Sequence, residues 1–569
     1  MSAKRPSPTV SDLLDIVSSS SLAASPHVAL EQISCLIMIK YLEFSGHDTS
    51  WSALLKDTDP AQPLSKIAFP NLREAERLIA LNGHFTDAYF QLEAAKPEAL
   101  KALLKAVNDT FDFDQRQPFD ASANPDAFDT LLSSASVGGN SLDTTPRRVS
   151  RLMVSLLDPK PGQSLIDPAA GTARLLVYAD RYRGAGRAQL NKASAGIEVD
   201  KSVARIAWVN LLLNQLDTTQ MNYGDSVASI QDMQVGLETL QREHYDFVLS
   251  DLPHGNVHDD CHPEKAGYLP AAAFGDNERL TRRLEILSIW RSLDLLKIKG
   301  RAALLVPQSV LYGITRAHRK LRRELLCSHV IEGIILLPHA SAPKAILLFA
   351  KLPPAGPADK PRTLNVWFYE VGNEIGENGY GDLYDALAHF RARRAAENLP
   401  LERGIYHVPL PPTTDNAKAY PVGSVKHLDA INMEGGRTRR HPILLSRTAS
   451  TQIKQWQVPV RDWVQKPDWK NRRGQVVGSH DEHNQVRPDY EGAAQRELYI
   501  DGELQPGLLT RNCIEARNWT LDINEYRLPL ASAVAKGEST AQLIDELREV
   551  EQDILNRLER LRALLGEAQ

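Results

Sequence analysis

The chain has few cysteines and no long apolar run. Cys35, Cys261, Cys327 and Cys513 lie far apart with no CxxC pair among them, which argues against a zinc site and against a disulfide framework. No stretch approaches eighteen consecutive apolar residues, so no membrane-spanning helix is expected. The opening residues are rich in Ser and Pro without the apolar core of a secretory signal. A surplus of positive charge is missing too: 66 Lys and Arg face 71 Asp and Glu, for a formal net charge of −5. Such a surface is no general trap for nucleic acid. Any contact of that kind must come from a local basic patch or a partner. A cytoplasmic protein without membrane contact is the expectation.

What is present is ordinary in bulk and informative in order. A hydrophobic content of 43% with 24% charged residues in 569 fits a soluble globular chain of about three or four domains. Residues 1–117 read as a helical domain, with Leu13, Leu14, Ile16 and Val17 opening one stripe and Leu30, Ile33, Ile37 and Leu42 another. Residues 118–144, where Ser, Asn, Asp, Gly and Pro dominate, read as a linker with one helical turn around Phe128–Leu132. From 145 to 352 strands and helices alternate. Short apolar runs at Ser164–Ile166, Ala195–Val199, Tyr245–Leu249, Arg301–Val306, Val330–Leu336 and Ala345–Phe349 predict a mostly parallel sheet covered on both faces. Periodicity weakens over 353–535, where Trp456, Trp463 and Trp469 sit among Lys and Arg. Those residues could stack on bases or belong to an ordinary surface. Residues 536–569 predict a terminal helix, with Ser539 and Gln542 as a capping box and an apolar face from Leu543 to Leu565.

Two strand ends carry the chemistry. Asp167-Pro168-Ala169-Ala170-Gly171-Thr172-Ala173-Arg174 is a small-residue turn between a strand and a helix, the place where backbone N–H groups meet a ligand. Asp167 is placed to meet a hydrogen-donating group such as the amino group of an amino-acid moiety. Glu198 ends the next strand, where a doubly wound nucleotide fold sets a carboxylate against ribose hydroxyls. Asp225, in Tyr223-Gly224-Asp225-Ser226, stands where an adenine amino group could be read. Singly, Gly171 is a turn glycine and Glu198 a solvated strand-end acid; in this order they read as a cofactor site. The second strand end is Ser250-Asp251-Leu252-Pro253-His254. Basic residues Arg319, Lys320, Arg322 and Arg323 read as a solvated helix face that could also position phosphate. His258, Asp259, Asp260, Cys261 and His262 are too crowded for a metal site and read instead as a loop for a target base. No metal is expected.

These segments resemble the modification subunits of type I restriction–modification systems. The resemblance rests on Asp167 to Thr172 preceded by Thr145-Pro146-Arg147, on Asp12-Leu13-Leu14 through Tyr41-Leu42-Glu43, on Glu198, Asn210-Leu211 and Gly224-Asp225-Ser226, and on Gly300 to Leu311, Ile335 to Pro338 and Ala345 to Lys351. It spans about residues 10–350 and is weaker at Trp519 to Tyr526. It implies a class I Rossmann-like methyltransferase sheet, a helical N-terminal domain and a C-terminal assembly helix. It also implies S-adenosylmethionine as cofactor, held by Thr145, Pro146, Asp167, Ala169, Gly171, Thr172, Glu198 and Asp225. The implied reaction is methylation of adenine N6 in double-stranded DNA, inside a bacterial defence complex. The terminal helix would dock on a DNA-specificity subunit, and the resemblance leaves room for a nuclease subunit.

Two departures separate this sequence from that family. A second glycine of the cofactor loop is Ala173 here. A Cβ there is fatal only if the backbone needs φ > 0 or the ligand touches that carbon, and weakened rather than abolished cofactor binding is the expectation. The family's Asn-Pro-Pro-aromatic segment is Asp251-Leu252-Pro253-His254. An exocyclic adenine amine is a poor nucleophile, and the enzyme must accept its hydrogen bonds while the base is flipped out and stacked. Asp251 still accepts and the Leu252 carbonyl is available, but without the proline its placement is looser. His254 offers a smaller stacking face. A catalytically degenerate scaffold or cofactor sensor is therefore the alternative. Methylation of protein or RNA amines is a third reading.

Overall fold

The computed structural model describes residues 10–371 except 49, 80–82, 114–123, 136–143, 184–193, short stretches between 219 and 280, 338–342 and 355–360; beyond 371 it describes separate pieces between 383 and 526. The N-terminal part includes helices α1 (Val10–Ser19), α2 (Pro26–Phe44), α3 (Phe69–Ile79), α4 (Pro97–Thr110) and α5 (Asn124–Ser134). The start of α2 is written in the sequence. Ser25 caps it, its hydroxyl accepting from the Val28 N–H at 3.2 Å, and Pro26 takes a first-turn position that needs no donor. Helix α2 is apolar on nearly every side and is buried from Ala29 to Ile39, as an all-round hydrophobic helix must be. In the segment read as a linker, α5 runs eleven residues, longer than the single turn expected. Phe128, Leu131 and Leu132 bury fully in the helical core.

The methyltransferase-like part is built on β1 (Leu165–Asp167), β2 (Ser194–Glu198), β3 (Met221–Tyr223), β4 (Tyr245–Asp251), β5 (Leu296–Pro307), β6 (Val330–Leu336) and β7 (Lys344–Ala350). Strands β8 (Asn365–Glu370) and β9 (Gln455–Pro459) complete a nine-stranded sheet in the order 9-8-6-7-5-4-1-2-3. Neighbours from β3 to β5 pair in parallel, whereas β7 runs antiparallel to both β5 and β6. This is the class I methyltransferase arrangement expected from the sequence. The stretch of weak periodicity after 352 thus contributes two strands to the sheet. Val366, Trp367, Phe368 and Tyr369 of β8 are buried, and β-rich aromatics of this kind suit a covered strand.

Strand order reverses at β1: the chain steps outward through β2 and β3, then returns to place β4 on the other side of β1. In open α/β sheets the crevice beyond the strand ends at such a point is the natural ligand site. Close packing around β2 needs Gly196, where a Cβ would lie 2.5 Å from Met221 Sδ and 2.9 Å from Leu176 Cδ1.

One helix joins the two cores. α6 (Arg147–Leu157) and α7 (Arg174–Arg183) pack with the sheet, as does one face of α8 (Lys201–Leu213) through Ala207 and Leu211. The other face of α8, with Ile206, Trp208, Val209 and Leu213, belongs to the N-terminal helical core. Trp208 meets Phe85 edge to face at 5.6 Å. Arg205 of α8 is buried and donates to Glu31 at 2.8 Å, to Asp87 at 2.7 Å and to the His84 carbonyl at 3.1 Å.

Residues from Asp522 form a separate compact unit. Its described part is a short turn, Ile523–Glu525, capped by Asp522, which accepts from the Asn524 N–H. The terminal helix expected over 536–569 lies outside the described residues. Among the described residues, no helix is long and apolar enough to cross a membrane.

Removing one side of a buried ion pair strands the other charge. Arg205→Ala should therefore cost about 3–5 kcal/mol in urea-induced unfolding. The apolar pair Glu31→Leu with Arg205→Met should recover most of that loss. A single variant as stable as the parent would show that Arg205 does not hold α8 to the helical core.

Candidate functional site

A cavity of about 310 Å³ opens at the reversal of strand order. Its wall includes Asp167, Ala169, Ala170, Gly171 and Thr172 from the loop after β1, Glu198 from the tip of β2, Thr145, and the tetrapeptide Asp251 to His254 after β4. The two segments singled out in the sequence thus meet in one space. Pro146 is exposed at the N-cap of α6 and is not in that wall. Asp225 is also outside it, in the turn after β3, where it accepts from the Val227 N–H at 3.0 Å. The Gly224 N–H of that turn donates to the Glu198 carbonyl at 2.9 Å.

Asp167 is fully buried. Its Oδ1 accepts from Ser250 Oγ at 2.6 Å and from the Ala169 N–H at 3.0 Å. Its Oδ2 is buried without a hydrogen-bond partner among the described residues. Burial pushes its pKa up to about 7, against the lowering effect of the Ser250 and Ala169 hydrogen bonds. Such a carboxylate is poised to take a cationic or strongly donating group.

The loop after β1 is held from three directions. Glu198 Oε2 accepts from the Gly171 N–H at 2.9 Å and Oε1 from the Asp200 N–H at 2.8 Å; burial raises its pKa against those bonds. Asn210 Nδ2 donates to the Thr172 carbonyl at 2.8 Å. Arg174 is buried and donates to Asp129 of α5 at 2.9 Å, to Ser133 Oγ at 3.0 Å and to the Thr145 carbonyl at 2.9 Å. Asp129 is also met by Arg147 at 2.6 Å and by the Tyr178 hydroxyl at 2.7 Å. A helix within the supposed linker therefore clamps the loop.

Gly171 and Ala173 both adopt left-handed backbone, with φ of +53° and +58°. Ala173 is fully buried and is not in the cavity wall. Its Cβ strains the backbone rather than intruding on the site.

The tetrapeptide is anchored at its start and open at its end. The Leu252 N–H donates to the Leu305 carbonyl at 3.0 Å and the Leu252 side chain is buried, whereas Pro253 and His254 are exposed. Gly255 turns the chain at φ +110°, and its carbonyl accepts from the Leu284 N–H at the start of α9 (Leu284–Leu295). Asp251 is not a bare acceptor. Thr145 Oγ1 donates to its Oδ2 at 2.9 Å, and Lys344 Nζ lies 3.0 Å from Oδ1 and 3.3 Å from Oδ2.

Sequence reasoning did not single out Lys344, which stands 93 residues away from Asp251. Val199, an apolar side chain 59% exposed beside Glu198, was likewise read only as strand. The basic run of α10 (Arg316–Cys327) is corrected in part. Arg322 is buried and donates to the carbonyls of Trp519, Val310 and Gly313 at 2.6, 3.0 and 3.0 Å. It is a structural clamp, not part of a solvated face. Residues 258–262 and the side chains of Trp456, Trp463 and Trp469 lie outside the described residues.

Comparison with known proteins agrees with this geometry. Residues 127–383 match the family described as N-6 DNA Methylase. The EcoEI type I restriction enzyme methylase subunit of Escherichia coli is 27% identical over 313 residues, 52% of this chain and 57% of its own length. The EcoKI methylase subunit of E. coli K12 is 27% identical over 41% of this chain and 45% of its own. The chain thus spans about half the length of these curated relatives. A solved structure of a type I R-M system superposes with a TM-score of 0.53 at 17% identity, over 98% of both chains, which speaks for the fold.

If the cost of Ala173 lies in its backbone, Ala173→Gly should stabilise the protein by about 0.5–1 kcal/mol, net of the entropy glycine loses on folding. Gly171→Ala should destabilise by a similar or larger amount although space for the methyl exists. Denaturant titration measures both. A destabilising Ala173→Gly would contradict the assignment.

Proposed function

Proceeding from the N-6 DNA Methylase domain of residues 127–383, we propose that the chain is the modification subunit of a type I restriction–modification complex in the bacterial cytoplasm. It transfers a methyl group from S-adenosylmethionine to adenine N6 in double-stranded DNA. The observation that carries this reading is the single cavity walled by both the Asp167–Thr172 loop and Asp251–His254.

The residues fit the cofactor. The unpartnered Oδ2 of Asp167 suits the α-ammonium group. Glu198 stands at the β2 tip for ribose hydroxyls, and exposed Val199 beside it offers a face to the adenine ring. When bound, S-adenosylmethionine supplies an electrophilic methyl group on a sulfonium. The chain's own work is to orient the acceptor. Asp251 and the Leu252 carbonyl accept the two N–H bonds of the flipped adenine, drawing the nitrogen lone pair out of conjugation, and His254 stacks on the base. Thr145, donating to Asp251, fixes its rotamer. Sequence recognition belongs to a specificity subunit docked on residues 536–569, and a nuclease subunit would complete the complex. Delegation of that kind is consistent with the acidic chain.

The second reading, a non-catalytic cofactor-binding scaffold, is favoured by one observation: the Asp251 carboxylate is already engaged by Lys344. Methyl transfer to DNA by the purified complex decides between them. Asp251→Ala should lower the rate by about 10²–10³, the cost of losing one oriented polar group, with cofactor affinity retained. Transfer that survives the substitution, or is absent from the parent complex, rejects the enzymatic reading.

The state of Asp167 gives a pH signature. Ionised, it attracts the ammonium group; protonated below about 7, it does not. Affinity for S-adenosylmethionine should rise nearly tenfold per pH unit between about pH 5.5 and 7 and then level. Calorimetry in buffers of different ionisation heat should show proton release on binding at the acid end. In Asp167→Asn, affinity should be lower and flat over that range. A pH-independent parent would remove Asp167 from the binding role.

A further inference from the structure

We propose that Lys344 is the residue that controls entry of the target base, its ammonium group holding on Asp251 the place that the adenine amine must take. The inference rests on the methyltransferase reading and adds a residue that this reading does not use.

The geometry is specific. Lys344 begins β7, paired with Pro307 of β5, so its side chain must cross the end of β5 to reach Asp251 on β4. Two strand spacings come to roughly 10 Å, within the combined reach of an extended lysine and an aspartate. Its root is fixed, because the Lys344 carbonyl accepts from the Leu337 N–H at 3.1 Å and from Gln308 Nε2 at 3.3 Å. Its tip bridges both Asp251 oxygens at 3.0 and 3.3 Å, and the side chains of the pair are only 18% and 16% exposed. A nitrogen donor thus already sits on the carboxylate that the target amine would use.

Charge makes the contact exclusive. Methyl transfer builds positive charge on the acceptor nitrogen, and an ammonium within a few ångströms opposes it in a half-buried site. Lys344 must therefore leave Asp251 before transfer, and an anion on the substrate favours that exchange. A phosphate flanking a flipped nucleotide supplies one. A base without phosphates does not, so the exchange favours a nucleotide within a strand over a free nucleoside or a protein amine.

The test measures binding of 2′-deoxyadenosine and of a short adenine-containing single strand to the full chain saturated with S-adenosylhomocysteine. In the parent, the strand should bind and deoxyadenosine should bind at least tenfold more weakly than in Lys344→Ala. Lys344→Met, which keeps the packed stem, should behave like Lys344→Ala and guards against a folding artefact. Lys344→Arg should behave like the parent. Adding Asp251→Ala to Lys344→Met should abolish the gain, which a merely structural lysine would not require. Equal deoxyadenosine affinity in the parent and in Lys344→Met, with cofactor affinity intact, overturns the proposal. So does a gain that persists without Asp251. Loss of cofactor binding in the parent would instead mark failure of the methyltransferase reading.

Discussion

Ser250 donating to Asp167 is the contact on which the site depends. It ties the tip of β1 to the tip of β4, the two strands between which the sheet reverses its order. The loop that begins at Asp167 and the tetrapeptide that begins at Asp251 therefore keep a fixed spacing. The same bond restrains a carboxylate that burial pushes towards the neutral form. Among the described residues only one oxygen is satisfied, and the other is buried without a partner in a residue of the cavity wall. Folding tolerates such a group when a ligand completes it.

Everything around that pair restricts the loop rather than the ligand. Glu198 takes the Gly171 N–H, Asn210 donates to the Thr172 carbonyl, and Arg174 reaches back to Asp129. These come from β2, α8 and α5, so the loop records the positions of three separate elements. Helix α8 carries Asn210 on one side and Arg205 on the other, and thereby couples the loop's support to the N-terminal helical core. A left-handed Ala173 within the loop is affordable because so many bonds over-determine the backbone around it.

The sheet was legible because its strands are short, apolar and separated by helical periods. The loop and the tetrapeptide were legible because each is contiguous at a strand end. What stayed hidden depended on distant register or on which side of a helix faces inward. Lys344 meets Asp251 only through the β5–β7 pairing. Asp129 looked like one more acid in a polar linker until α5 packed Phe128 and Leu131 into the core. Arg322 was indistinguishable in sequence from Arg319 and Arg323, and only packing turned it towards three carbonyls. Strand β8 escaped notice because its aromatic run sits alone in a stretch without helical or alternating period. Pro146 and Asp225 are not among the residues that wall the cavity.

The tetrapeptide read as a damaged version of Asn-Pro-Pro-aromatic, and Lys344 alters that judgement. Replacing a neutral asparagine by aspartate adds a negative charge near Asp167, where Asp251 is already among the groups that raise its pKa. Unopposed, that charge would disfavour ionisation of Asp167 and so weaken the attraction of a cationic ligand. The ammonium of Lys344, at 3.0 and 3.3 Å from the two carboxylate oxygens, opposes it. Asp251 and Lys344 together are as neutral as the asparagine they stand in for, so the departure at 251 is half of a compensated pair. The compensation has a consequence that asparagine lacks. A neutral amide leaves its oxygen open to any amine, whereas an ion pair yields its carboxylate only to a substrate that can also accommodate the displaced cation. On this argument the unusual segment narrows what the site will accept and leaves its capacity to orient an amine in place.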